Sequence, residues 1–209
     1  NSMMNFKGKP HVAEALRGKK IAVLGLGVEG LSTVKFLKKR GADVTVLDQK
    51  NEKELPNEYI NILIYYKIKL IAGENYLSNL GKYDLIIKSP GFRLSLLKNV
   101  DASKITSQTK LFFEECPCPI IGVTGTKGKG TTSSLIYEML KREGKDAYLG
   151  GNIGKPPLDF LDKLNARSIA VLELSSFQLM DMTKSPHIAV MLMTTSEHLD
   201  WHKDTEEYI

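Results

Sequence analysis

Two short apolar runs each lead into a glycine-rich turn and then into a helix-length amphipathic segment. No other feature of the chain constrains its fold as tightly. The first run is Lys20 to Leu24, followed by Gly25-Leu26-Gly27-Val28-Glu29-Gly30. The second is Ile120 to Val123, followed by Thr124-Gly125-Thr126-Lys127-Gly128-Lys129-Gly130-Thr131-Thr132. A strand that turns through glycine directly into a helix buries itself in a sheet and lays the helix on that sheet's face, which makes a βα unit. Further Ile, Val and Leu runs recur at Val44 to Leu47, Leu85 to Ile87, Ile169 to Leu174 and Ile188 to Met193. Short runs that are apolar on both faces predict parallel strands covered by helices, hence an α/β fold. The spacing predicts helices over Glu29 to Lys39, with Leu31, Val34, Leu37 and Lys38 on one stripe, and over Thr131 to Arg142, with Leu135, Met139 and Leu140 on another.

Each glycine turn opens its own domain. The chain has 209 residues, enough for two small domains, and Cys116-Pro117-Cys118-Pro119 interrupts the helical pattern between them. The expected organisation is a Rossmann-like domain over 1–115 and a P-loop ATPase α/β domain over 116–209. A hydrophobic content of 42% and a charged content of 25% exclude disordered and collagen-like classes. The formal charge of +5 comes from basic residues spread along the chain, so it suits an anionic small molecule as well as a nucleic acid. Two cysteines this close are poorly placed for an unstrained disulfide, and no second pair exists to close a zinc tetrahedron, so a reducing cytoplasm is expected. The apolar runs fall well short of the roughly 20 residues needed to span a bilayer. The start, Asn-Ser-Met-Met, has no basic region followed by an apolar one and reads as an expression scar ahead of Met3 or Met4, not as a secretory signal.

The chemistry-bearing residues cluster at strand ends. In the first turn, glycines let the backbone approach a diphosphate, and the helix N-terminus offers it free amides. Asp48 ends the next strand, where a carboxylate accepts a hydrogen bond from a ribose hydroxyl or a base edge. NAD is the default nucleotide at this stage, and a packing role for the glycines is the alternative. In the second turn, Gly128-Lys129 before a helix is the core of a phosphate-cradling loop. Gly130 stands where a hydroxyl is usual, so Thr131 or Thr132 is left to reach a Mg2+ ion. Glu173 ends the strand from Ile169 and is placed to hold Mg2+ or orient its water, while Glu197, His198 and Asp200 follow the last apolar run.

Taken in order, Thr124 to Thr132, Gly151-Asn152-Ile153-Gly154, Glu173-Leu174-Ser175-Ser176-Phe177-Gln178-Leu179 and Glu197-His198-Leu199-Asp200 resemble the Mur ligases, ATP-dependent amide-bond-forming enzymes of peptidoglycan precursor synthesis. The Glu173 to Leu179 segment, with Gly25 to Gly30, Asp48 and Ser89-Pro90-Gly91, is similar to the branch that adds D-glutamate to UDP-N-acetylmuramoyl-L-alanine. The resemblance implies ATP and Mg2+ as cofactors, an acyl phosphate intermediate, and a cytoplasmic monomer with small-molecule substrates, no nucleic acid and no membrane. It implies ATP contacts from Gly125, Thr126, Lys127, Gly128, Lys129, Gly130, Thr131 and Thr132, and metal contacts from Thr131, Glu173 and His198. Lys129, Glu173, His198 and Asn152 are the implied catalytic residues. Gly27, Val28, Glu29, Asp48, Gln49, Lys50 and Gly91 are implied to surround the uracil and diphosphate, and Asn152, Ser175 and Gln178 the acceptor carboxylate.

Departures from the family pattern fall at Gly130, at Met193, where asparagine is usual, and at Glu197, where aspartate is usual. The resemblance also implies that the second domain is incomplete, that a Mg2+-associated lysine and a D-glutamate-binding domain lie beyond Ile209, and that this chain alone is inactive. Lys129-Gly130-Thr131 is closer to the related folylpolyglutamate synthases, which is one alternative. A non-catalytic nucleotide-binding protein and an NAD-dependent dehydrogenase are the others.

Overall fold

The computed structural model describes residues 16–180 and 182–194. By packing, the chain divides into two compact units. One runs to Ile87 and includes Lys98–Ile105, and the other comprises Lys88–Leu97 and the residues from Thr106 onward.

In the first unit, β1 (Lys20–Leu24), α1 (Val28–Lys39), β2 (Asp43–Asp48), α2 (Asn57–Tyr65) and β3 (Lys69–Ala72) follow one another, and β4 (Leu85–Lys88) and β5 (Ile105–Ser107) complete the sheet. The strand order is β3-β2-β1-β4-β5, with β1 parallel to β2 and β2 parallel to β3. The chain thus steps outward from β1 to one side and returns to the other. In doubly wound sheets this reversal opens a crevice at the carboxyl end of the first strand. Ile21, Ala22, Val23 and Leu24 are all buried, and α1 covers them with Leu31, Val34, Phe36 and Leu37. Each fully buried Ile or Leu contributes roughly 1.5–3 kcal/mol. Lys38 is only half-buried, and Phe36 completes the buried face.

The second unit holds α3 (Gln108–Glu115), β6 (Ile120–Thr124), α4 (Lys129–Arg142), β7 (Ala147–Gly151), β8 (Ile169–Glu173), the short α5 (Ser176–Leu179) and β9 (Ile188–Met191). The sheet order is β7-β8-β6-β9 and every neighbouring pair is parallel. The register sets Val123 beside Glu173 and Gly151 beside Glu173, so the carboxyl ends of β6, β7 and β8 lie level.

Residues 108–115, which form α3, group with the second unit. Phe112 is fully buried, edge-on to Phe160 at 5.6 Å, and Phe160 stacks on Tyr148 at 5.6 Å. One sequence expectation changes here. The expected apolar stripe of α4 is not its buried face: Leu135 and Met139 are each 58% exposed, whereas Ser133 is fully buried. A small residue lets the helix backbone settle close to β7 and β8, and this turns the larger apolar side chains outward. Among the described residues, no helix is long and apolar enough to cross a membrane.

Candidate functional site

The first glycine turn is tied together by one carboxylate. Gly25 takes a φ of +91°, a left-handed conformation that favours glycine, and leads through buried Leu26 to Gly27, the N-cap of α1. A Cβ on Gly30 would fall 2.0 Å from the Gly25 carbonyl oxygen, so only glycine lets α1 start this close to the turn. Asp48, buried at the end of β2, accepts a hydrogen bond from the Leu26 N–H at 2.7 Å through Oδ2 and from the Lys50 N–H at 2.9 Å through Oδ1. Both carboxylate oxygens therefore brace backbone. Gly27, Val28, Gln49 and Lys50 are exposed around this knot, and Glu29 is half-buried. Tyr76 was not singled out in the sequence. Burial first, and then the negative charge of Asp48, hold its phenol above the ordinary range. Gly91 is exposed and belongs to the second unit.

In the second turn, Gly125 has a φ of +131° and a Cβ there would lie 2.8 Å from the Leu192 Cβ, so glycine is required on two counts. Gly128, at φ +84°, is the N-cap of α4. The loop is braced by the segment after β9: Leu192 donates its N–H to the Thr124 carbonyl at 2.9 Å, and Thr126 donates to the Met193 carbonyl at 3.1 Å. The Met193 side chain is 75% exposed, so this departure from the family pattern leaves the backbone brace intact. Lys129 folds over its own loop and donates to the carbonyls of Gly125 at 2.7 Å and Thr126 at 3.1 Å. Thr126 is buried, Lys127 and Thr131 are exposed, and Thr132 is half-buried.

Glu173 meets this helix start from the neighbouring strand. It is 5% exposed, and its Oε1 accepts from the Asn152 Nδ2 at 3.2 Å. A Cβ on Gly130 would lie 3.1 Å from the Glu173 Oε2 and 3.0 Å from the Ile153 Cδ1, which gives the glycine at this position a physical reason. Asn152 is fixed in turn by its own N–H to the Glu173 carbonyl at 2.9 Å.

Ser175 and Gln178 form a capping box on α5: Ser175 N–H donates to the Gln178 Oε1 at 3.0 Å, and Gln178 N–H to the Ser175 Oγ at 3.3 Å. Gln178 is 2% exposed, so as folded it holds the helix start and presents no free amide. Glu197, His198 and Asp200 lie outside the described residues. Among the described residues no group of three or more His, Cys, Asp or Glu side chains converges on one point.

The fold and these two turns define an α/β protein with a glycine loop at the head of a helix in each of two parallel-stranded units. Residues 19–106 match the model of the Mur ligase MurD-like N-terminal domain, and residues 123–209 that of the Mur ligase middle domain. The chain belongs to the Mur ligase family. It is 43% identical over 198 residues to the UDP-N-acetylmuramoylalanine–D-glutamate ligase of Clostridium acetobutylicum, an alignment covering 93% of this chain and 43% of that protein. A Clostridium botulinum protein of the same name is also 43% identical with the same coverage. The Acetivibrio thermocellus protein of that name is 42% identical over 201 residues, covering 93% of this chain and 42% of its own length. The chain therefore spans less than half the length of the curated relatives it matches.

Proposed function

We propose that this chain carries the nucleotide-sugar and ATP-binding parts of a cytoplasmic ligase that joins D-glutamate to UDP-N-acetylmuramoyl-L-alanine in peptidoglycan precursor synthesis. Its second unit is read as a P-loop type of ATPase fold. The observation that carries the reading is the buried Glu173 carboxylate held by Asn152 against Gly130, at the start of the helix that follows the phosphate-type loop. Hard oxygen donors beside a helix N-terminus suit Mg2+ and phosphate together.

The donor set fits both groups. Gly125 and Gly128 take left-handed conformations that shape the loop, and Lys129 folds over it. Binding would exchange the bonds of the Lys129 ammonium to the Gly125 and Thr126 carbonyls for bonds to phosphate oxygens. Glu173 would hold Mg2+, with Thr131 or Thr132 supplying a hydroxyl and His198 a further contact. Bound Mg·ATP supplies an activated phosphoryl group and neutralises its charge. In the complete ligase the alanyl carboxylate would take the γ-phosphoryl group as ADP leaves, and the amine of D-glutamate, losing a proton, would then displace inorganic phosphate from the acyl carbon. The chain's own part is positioning and charge neutralisation. In the first unit, Gly27, Val28 and Glu29 with Asp48, Gln49 and Lys50 would take the uridine diphosphate. In the second unit, Gly91, Asn152, Ser175 and Gln178 are the residues proposed for the substrate.

Replacing Lys129 with alanine tests the ATP half. Losing a charge-assisted bond worth about 1.5–3 kcal/mol weakens Mg·ATP binding by roughly ten- to a hundred-fold. Equilibrium titration with a fluorescent ATP analogue reads this directly. Equal affinity in the variant and the parent chain counts against the assignment.

A further inference from the structure

The two cysteines take no part in either glycine-turn site. Cys116 is the C-cap of α3 and Cys118 lies just before β6, with Pro117 between them. They stand at the amino-terminal edge of the second sheet, whereas the phosphate-type loop leaves its carboxyl-terminal edge. The two Sγ atoms are 3.5 Å apart, and the Cys116 Sγ lies 3.4 Å from the Cys118 carbonyl oxygen. Cys116 is partly buried and Cys118 is buried. The sulfurs are already in contact, so a bond between them takes an approach of about 1.5 Å to the ordinary S–S length.

We propose that Cys116 and Cys118 form a thiol–disulfide exchange site for low-molecular-weight disulfides, with Cys116 attacking and Cys118 resolving. The contact from the Cys118 thiol holds Cys116 below the ordinary thiol range, against the opposing effect of its burial. The same contact, reinforced by burial and by the negative charges of Cys116 and Asp146, pushes Cys118 up, while the Ala170 N–H works the other way. Tyr148 is the further titratable group facing this corner, and Asp146 is itself held by the Ser168 hydroxyl at 2.5 Å and the Asn165 amide at 3.3 Å. Exposure and proton affinity thus assign the same roles: the reachable sulfur is the thiolate, and the shielded one keeps its proton until the second step.

With glutathione disulfide, the Cys116 thiolate attacks one sulfur and the disulfide bond breaks. One glutathione leaves and takes up the proton that Cys116 lost. Cys118 then gives up its proton and attacks the Cys116 sulfur, and the second glutathione leaves carrying that proton. Two protein thiols are oxidised to one disulfide, and one glutathione disulfide is reduced to two thiols. A ring closed across a single intervening residue is strained, which places the bond among the readily reduced ones.

The folded chain is incubated with excess glutathione disulfide, alkylated and weighed intact. Only two cysteines exist in the sequence, so the readout has one interpretation. The expected product has lost two hydrogen atoms, retains no glutathione, resists alkylation and reverts with dithiothreitol. Cys118→Ser, checked for folding by circular dichroism, is expected to keep one glutathione, and Cys116→Ser to stay unmodified. A parent chain that holds a stable glutathione adduct, links into dimers or stays as two free thiols overturns the proposal, whatever the variants do.

Discussion

Asp48 shows how one side chain braces two loops. Its two oxygens hold the Leu26 N–H in the first turn and the Lys50 N–H just after β2. Removing the carboxylate leaves the buried Leu26 N–H without a partner, at a cost of about 1–3 kcal/mol. Asp48→Ala is therefore expected to lower the unfolding free energy read from urea titration by that amount, and Asp48→Asn, which keeps one acceptor oxygen, by less. A loss under about 0.5 kcal/mol in the alanine variant, typical of ordinary surface positions, contradicts the bracing role. Gly130 is a second residue with a local explanation: it is the gap into which the Glu173 carboxylate and Ile153 fit. This residue-level detail was only partly legible. The glycines, Lys129 and Glu173 stand out by type and spacing, but nothing in the sequence reveals that Asp48 binds backbone. Ser175-Ser176-Phe177-Gln178 does carry a readable capping-box signature, a Ser followed three residues later by Gln.

At the scale of elements, strands with unbroken Ile, Val and Leu runs were legible, the edge strand β9 among them, and three other edge strands were not. β3 (Lys69–Ala72), β5 (Ile105–Ser107) and β7 (Ala147–Gly151) each lie at the edge of a sheet and carry Lys, Thr or Gly where a central strand carries branched apolar residues. Helix α4 misled for a different reason. A stripe of Leu and Met at helical spacing ordinarily marks the core face, but here the close approach of Ser133 sets the orientation. Short capped turns also contribute. Asp101 caps the turn Ala102–Lys104 by accepting from the Ser103 N–H at 2.9 Å and its hydroxyl at 2.8 Å. The Ser103 N–H first, then the hydroxyl, hold the Asp101 carboxyl below the usual aspartate range. A carboxyl lowered in the folded state contributes stability that is complete above its unfolded pKa and lost as pH falls through the lowered folded value. Asp101→Asn is therefore expected to be less stable than the parent chain at neutral pH, with the gap closing toward strong acid. Thermal melts across that range measure it, and a gap that stays constant with pH contradicts the assignment.

For the whole molecule, two α/β units with a glycine turn each were foreseeable from the repeated strand–turn–helix pattern. The membership of α3 was not, because Cys116 to Pro119 looks like a boundary while Phe112 packs on Phe160 from a distant part of the chain. A ring contact of that range leaves no local trace in sequence. Under the proposed function the positive charge, without a partner on composition alone, would meet two: a diphosphate at the first turn and ATP at the second. If the first unit is built for a uridine-diphosphate sugar, calorimetric titration of the folded chain with UDP-N-acetylmuramoyl-L-alanine is expected to give a saturable one-to-one heat that UDP competes away and NAD does not. No heat at millimolar ligand with the fold intact, or displacement by NAD as effective as by UDP, would contradict it.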